Sequence, residues 1–113
     1  MDNRILIAED EARLREVLCD YFLSKGEVPV AAENGAKALA LAEEESFDAV
    51  LLDIMMPELD GFSVCRALRR RQEVPIIFLT ALSAEEDKLL GYELGADDYV
   101  TKPFTMSVLY AKA

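Results

Sequence analysis

The sequence contains no histidine. That absence excludes a serine–histidine–aspartate triad, a histidine-ligated metal and any phosphohistidine formed on this chain. Cations are also scarce: 12 Lys and Arg stand against 22 Asp and Glu, a formal net charge of −10. Nucleic-acid backbones are held by clustered cations, so this chain is not expected to bind nucleic acid itself. Only two cysteines occur, Cys19 and Cys65, each inside an apolar helical pattern. They read as reduced, buried thiols of a cytoplasmic protein. No apolar run approaches the roughly 18 residues of a membrane span, and no signal peptide is visible. A soluble cytoplasmic protein with no membrane partner is expected. Low-complexity linkers and internal repeats are absent too, which leaves a single folding unit over the 113 residues.

What is present is a core. Hydrophobic residues make up 52% of the chain, and they fall into two patterns. Ile5-Leu6-Ile7-Ala8, Val50-Leu51-Leu52 and Ile76-Ile77-Phe78-Leu79 are continuous apolar runs. Such runs suit strands buried on both faces, as in parallel sheets. Val28 to Ala32 and Asp98 to Val100 are weaker strand candidates. Between them the period changes. Leu14, Val17, Leu18, Tyr21 and Phe22 form one helical stripe, with Gly26 placed to end it in the left-handed conformation. Gly35 to about Glu44 is rich in Ala and Leu. Asp60 can cap a helix through Phe62, Val64, Cys65 and Leu68, whose end carries Arg69-Arg70-Arg71 at the negative pole. Ser83 and Glu86 form a capping box for a helix reaching Gly95, and Thr105 opens a last helical stretch.

The order is therefore β-α repeated five times. It predicts an α/β fold: a doubly wound, five-stranded parallel sheet of order 2-1-3-4-5, flavodoxin-like, with helices on both faces. The last helix has about nine residues against the ~11–12 of an average helix. It is expected to be truncated at residue 113, and any further domain lies beyond.

Doubly wound sheets bind ligands beyond the carboxyl ends of their strands. Here those ends carry Glu9-Asp10, Asp53, Thr80 and Lys102. Each alone is weak, because strands often end in polar residues, and Glu9-Asp10 could simply cap the first helix. Together they are complementary. Carboxylates crowded around one crevice repel unless a cation neutralises them. Oxygen donors without His or Cys select a hard cation, so Mg²⁺ is the expected metal. Opposite the acids, the Thr80 hydroxyl and Lys102 ammonium suit phosphoryl oxygens, and an Asp carboxylate can accept a phosphoryl group.

At these residues the chain resembles the receiver domain of a two-component response regulator, of the kind joined to a winged-helix transcription factor. The motifs that carry the resemblance are Ala8-Glu9-Asp10-Glu11, Leu52 to Gly61, Thr80-Ala81, Gly95 to Tyr99 and Thr101 to Phe104. The resemblance implies that Asp53 is the phosphoacceptor for a phosphohistidine on a partner sensor histidine kinase. It implies that Asp10 holds Mg²⁺ directly, Glu9 through water, and Asp53 and the Met55 backbone carbonyl as further ligands. Thr80 and Tyr99 become the switch pair, and Lys102 pairs with the phosphoryl group. Met55 and Leu82 match positions that tune dephosphorylation; both are apolar, so neither can act as a base for water.

The resemblance also implies an output. In that subfamily the fourth helix, fifth strand and fifth helix form a dimer face, matched here by Lys88, Asp97, Asp98 and Lys112. A homodimer formed on phosphorylation is expected, with DNA bound only by a domain beyond Ala113. The alternative is a single-domain phosphorelay or motility-type receiver. A turnover enzyme, such as an aspartyl-phosphate phosphatase, is disfavoured. Those enzymes commonly place a second Asp two residues after the nucleophile, and that position is Met55. The chain is expected to catalyse only its own phosphorylation and dephosphorylation.

Overall fold

The computed structural model describes residues 3–54, 56, 59–70, 74–80, 98–101 and 109–111; for Thr80, Tyr99 and Thr101 it describes the backbone alone. Within these, five strands form: β1 (Arg4–Ala8), β2 (Val28–Ala32), β3 (Ala49–Asp53), β4 (Ile76–Thr80) and β5 (Asp98–Thr101). They make one parallel sheet in the order β2-β1-β3-β4-β5. Three helices connect them: α1 (Ala12–Ser24), α2 (Gly35–Glu44) and α3 (Gly61–Arg69). Helical backbone also occurs at 109–111. The expected capping box at Ser83 lies outside the described residues, as does the helix it would open.

The continuous apolar runs now have a physical account. Side chains alternate between sheet faces, and both faces are covered. Leu6, Ala8, Val50, Leu52, Ile76 and Phe78 point to one side, where α2 and α3 supply Ala38, Ala42, Val64, Cys65 and Leu68. Ile5, Ile7, Ala49, Leu51, Ile77 and Leu79 point to the other, against Leu18 and Phe22 of α1 and Leu109. Strand β2 lies at the sheet edge. That is why Pro29, which has no N–H to give a second neighbour, is tolerated within it.

Helix ends follow from local chemistry. Asn34 accepts a hydrogen bond from the Lys37 amide, and Asp60 accepts one from the Ser63 amide, each at 2.8 Å. Helix α1 ends at Gly26, whose φ of +82° is the left-handed conformation expected there. The Gly26 amide donates to the Leu23 carbonyl and the Glu27 amide to the Phe22 carbonyl, a Schellman closure. Two expectations need correction. Val17 is 43% exposed and off the buried stripe, which runs through Leu14, Leu18, Cys19 and Phe22. Cys19 is half-buried, whereas Cys65 is buried as expected. Burial pushes the Cys19 thiol up, with the Asp20 charge adding to the effect. The two cysteines sit in helices on opposite faces of the sheet.

At the amino end of the sheet, Arg4 joins β1 to the segment before β3. Its amide donates to Asp48 Oδ2 at 2.7 Å, and its carbonyl accepts from the Asp48 amide at 2.8 Å. Its guanidinium pairs with Glu45 and stands 5.5 Å from the Phe47 ring centroid. The pair is more than a third exposed, so its value is small, and the ring contact adds a comparable amount. Arg4→Ala is expected to lower stability by about 1 kcal/mol in urea unfolding.

Candidate metal centre

The sheet register assembles the site. Ala8 pairs with Leu52, and Asp53 pairs with Leu79 on β4. Glu9 therefore follows β1 at the level where Asp53 ends β3. One residue further on, Thr80 pairs with Thr101, the residue before Lys102. The carboxyl ends of four strands thus meet on one rim.

Three carboxylates converge there. Glu9, Asp10 and Asp53 each offer an oxygen within 4.8 Å of the others. Glu9 is fully buried and Asp53 is 4% exposed, while Asp10 is open to solvent. Glu9 Oε2 accepts a hydrogen bond from the Glu11 amide at 3.0 Å, and the Glu9 amide donates to the Ala32 carbonyl at 3.1 Å. The turn that carries Glu9 and Asp10 is tied a second way: the Arg15 guanidinium donates to the carbonyls of Glu9 at 2.8 Å and Asp10 at 3.3 Å. The capping alternative is met in part: the residue at the N-cap of α1 is Glu11, which makes no side-chain cap bond, but the Glu9 carboxylate accepts from the amide of that residue.

Behind Asp53 the chain is held closely. The Ile54 amide continues the ladder to the Leu79 carbonyl at 3.2 Å, and the Gly61 amide returns to the Ile54 carbonyl at 2.9 Å. At Gly61 a β-carbon would stand 2.4 Å from the Asp53 carbonyl oxygen, so only glycine allows α3 to start so near the strand end.

The other predicted residues are placed less fully. Thr80 ends β4 and Tyr99 lies in β5, both by backbone, and Asp98 opens β5. Met55, Leu82, Lys88, Asp97, Lys102 and Lys112 lie outside the described residues. Sequence reasoning did not single out Arg15, since a bond from a side chain to main-chain carbonyls leaves no pattern in residue types.

A donor set of carboxylates alone, one of them wholly buried, fits a hard divalent cation. A second concavity, about 220 Å³, opens at the amino rim between Asn3, Ile5, Phe22, Glu27 and Tyr110. The Tyr110 hydroxyl donates to Glu27 Oε1 there at 3.3 Å, and burial with the Glu27 charge pushes that phenol up. With a single carboxylate it does not offer a metal a comparable site. Among the described residues no helix is long and apolar enough to cross a membrane.

Known proteins resemble this chain in sequence and in fold. The family model described as the response regulator receiver domain matches residues 5–113. The chain is 48% identical over 110 residues to a protein of Guillardia theta named probable transcriptional regulator ycf27, covering 97% of this chain and 43% of that one. It is 44% identical over 109 residues to the transcriptional activator protein PfeR of Pseudomonas aeruginosa, covering 96% of this chain and 36% of PfeR. The chain thus spans less than half the length of these relatives. The receiver domain of the Francisella response regulator 1452 superposes with a TM-score of 0.94 at 34% identity, covering 98% of this chain and 93% of that one. A parallel five-stranded sheet with an acidic rim, matched over nearly its whole length by that model, places this chain in the response regulator receiver domain family.

Proposed function

We propose that the chain is a phosphoacceptor switch in which Asp53 takes a phosphoryl group from a phosphohistidine on a partner sensor histidine kinase. The observation that carries this reading is the convergence of Glu9, Asp10 and Asp53 within 4.8 Å at the carboxyl rim. An Asp53 carboxylate oxygen attacks phosphorus in line, the P–N bond to the partner breaks, and the imidazole leaves with its electron pair. Asp10, Asp53, the Met55 carbonyl and, through water, Glu9 would hold Mg²⁺, which would supply charge neutralisation for the phosphoryl oxygens. The Thr80 hydroxyl and Lys102 ammonium take the remaining phosphoryl oxygens, and Tyr99 responds behind Thr80. Hydrolysis of the acyl phosphate resets the switch.

The output in this reading is transcriptional. It is supported by relatives that are transcriptional regulators more than twice as long as this chain. Residues 1–113 form the receiver, and in this reading DNA is bound only by an output domain outside it. Phosphorylation promotes a homodimer through the fourth helix, fifth strand and fifth helix, using Lys88, Asp97, Asp98 and Lys112.

Incubation with acetyl phosphate and Mg²⁺, followed by intact mass, tests the chemistry. One added phosphoryl group is expected, released by hydroxylamine and absent when EDTA replaces the metal. An unchanged mass in Mg²⁺, or labelling that persists in EDTA, would count against it.

A further inference from the structure

We propose that Arg15 is a positioning residue for the metal-binding turn, holding Asp10 in place through the main chain. The inference rests on the reading of Glu9, Asp10 and Asp53 as a Mg²⁺ site. Arg15 is the fourth residue of α1, and side chains on a helix lean back toward its amino end. Its guanidinium therefore reaches over the turn that precedes the helix. There one nitrogen, Nη1, donates to two successive carbonyls, those of Glu9 and Asp10. Tying both peptide oxygens sets the planes on either side of the Asp10 α-carbon, and so the direction in which its side chain leaves the backbone.

The two acids of the turn depend on this clamp unequally. Glu9 is fully buried, and its carboxylate is also held by the Glu11 amide. Asp10 is exposed, so burial does not fix its side chain. Its carboxylate is thus aimed by the backbone, and the backbone is aimed by Arg15. Groups that orient ligands from outside the coordination sphere commonly contribute 10–100-fold to metal affinity.

A positioning role and a purely electrostatic one predict opposite signs. A guanidinium beside an acidic rim repels an arriving cation, so removing its charge alone would tighten Mg²⁺ binding. Removing a clamp loosens the ligand and weakens binding. Arg15→Met keeps most of the aliphatic stem and deletes both the charge and the donors. Arg15→Lys keeps the charge but offers no planar fork.

The test is Mg²⁺ binding by calorimetry on the folded proteins, with circular dichroism and thermal melting in EDTA as the check on fold. Arg15→Met is expected to raise the Mg²⁺ dissociation constant about tenfold with a melting curve in EDTA close to that of the unaltered protein. Arg15→Lys should fall between the two, and excess Mg²⁺ should restore acetyl phosphate labelling in both. Unchanged or tighter binding in Arg15→Met would overturn the proposal. If that variant does not fold, Arg15→Lys decides alone: affinity equal to that of the unaltered protein overturns the proposal, and weaker binding supports it. Failure of the unaltered protein to bind Mg²⁺ would instead overturn the metal-site reading beneath it, a distinguishable result.

Discussion

Asp53→Asn is expected to take no phosphoryl group from acetyl phosphate and, without metal, to be more stable than the unaltered protein. The two effects share one cause. An amide is nearly the same size as a carboxylate and can occupy the same buried position, so the fold is retained. It carries no charge and is a poor nucleophile, so the acyl phosphate does not form. Stability moves the other way because Glu9, Asp10 and Asp53 place oxygens within 4.8 Å of one another. Two unit charges at about 5 Å repel by about 3 kcal/mol at an effective dielectric constant of 20. Deleting one charge removes two such pairs, offset by whatever favourable interaction Asp53 makes elsewhere. A net gain of about 1–2 kcal/mol in EDTA is expected on that basis. Mg²⁺ should then narrow or reverse the difference, since a ligand at about 100 times its dissociation constant stabilises by about 2.7 kcal/mol and the altered site binds it less well. Thermal melting in EDTA and in Mg²⁺, beside intact mass after labelling, separates these effects. A phosphoryl adduct on Asp53→Asn would mean that another residue is the acceptor. Loss of stability in EDTA would mean that the rim is held together by the Asp53 charge rather than strained by it.

This trade of stability for chemistry also explains which parts of the molecule could be read from residue order. The three central strands were legible because burial on both faces leaves a signature that few other structures share, an uninterrupted apolar run. β2 was legible despite Pro29 because an edge strand has only one neighbour to satisfy. The rim was legible because each of those runs stops at a polar residue, and a parallel sheet brings all such stops to one end. What could not be read is whatever depends on distance rather than period. Val17 has the right spacing for the α1 stripe but faces solvent, since the sheet covers a narrower arc of that helix than the apolar residues occupy. Glu9 and Asp10 both follow β1 in the same turn, yet one is wholly buried and the other exposed. Only the turn geometry separates them, and the Arg15 clamp that fixes the turn acts on main-chain atoms that every residue carries.

Gly35→Ala is expected to cost about 2–3 kcal/mol, although alanine is intrinsically the better helix former. A β-carbon at Gly35 would stand 1.9 Å from the Leu59 carbonyl oxygen and 2.8 Å from its carbon. Those are backbone atoms, so no rotamer change relieves the clash, and either α2 or the segment between β3 and α3 must move by about an ångström. At Gly61 the obstruction is 2.4 Å from the Asp53 carbonyl oxygen, and the cost is expected to be about 1–2 kcal/mol. Gly26 is the internal control, with nothing within 4 Å of its β-position but a φ of +82°. Its replacement by alanine should cost about 1 kcal/mol through backbone strain alone. Urea unfolding therefore ranks the three as Gly35, then Gly61, then Gly26. Labelling ranks them differently, because what moves matters as well as how much. Gly61→Ala presses on the acceptor residue itself and should slow acetyl phosphate labelling most, at least tenfold if Asp53 is displaced by about 1 Å. Gly26→Ala lies at the far rim and should label normally. If Gly61→Ala labelled at the unaltered rate, the close approach of α3 to β3 would be a packing feature with no part in aiming Asp53. Slow labelling with most of the stability retained would show that the two glycines differ in kind: Gly35 lets the helices meet, and Gly61 sets where the acceptor stands.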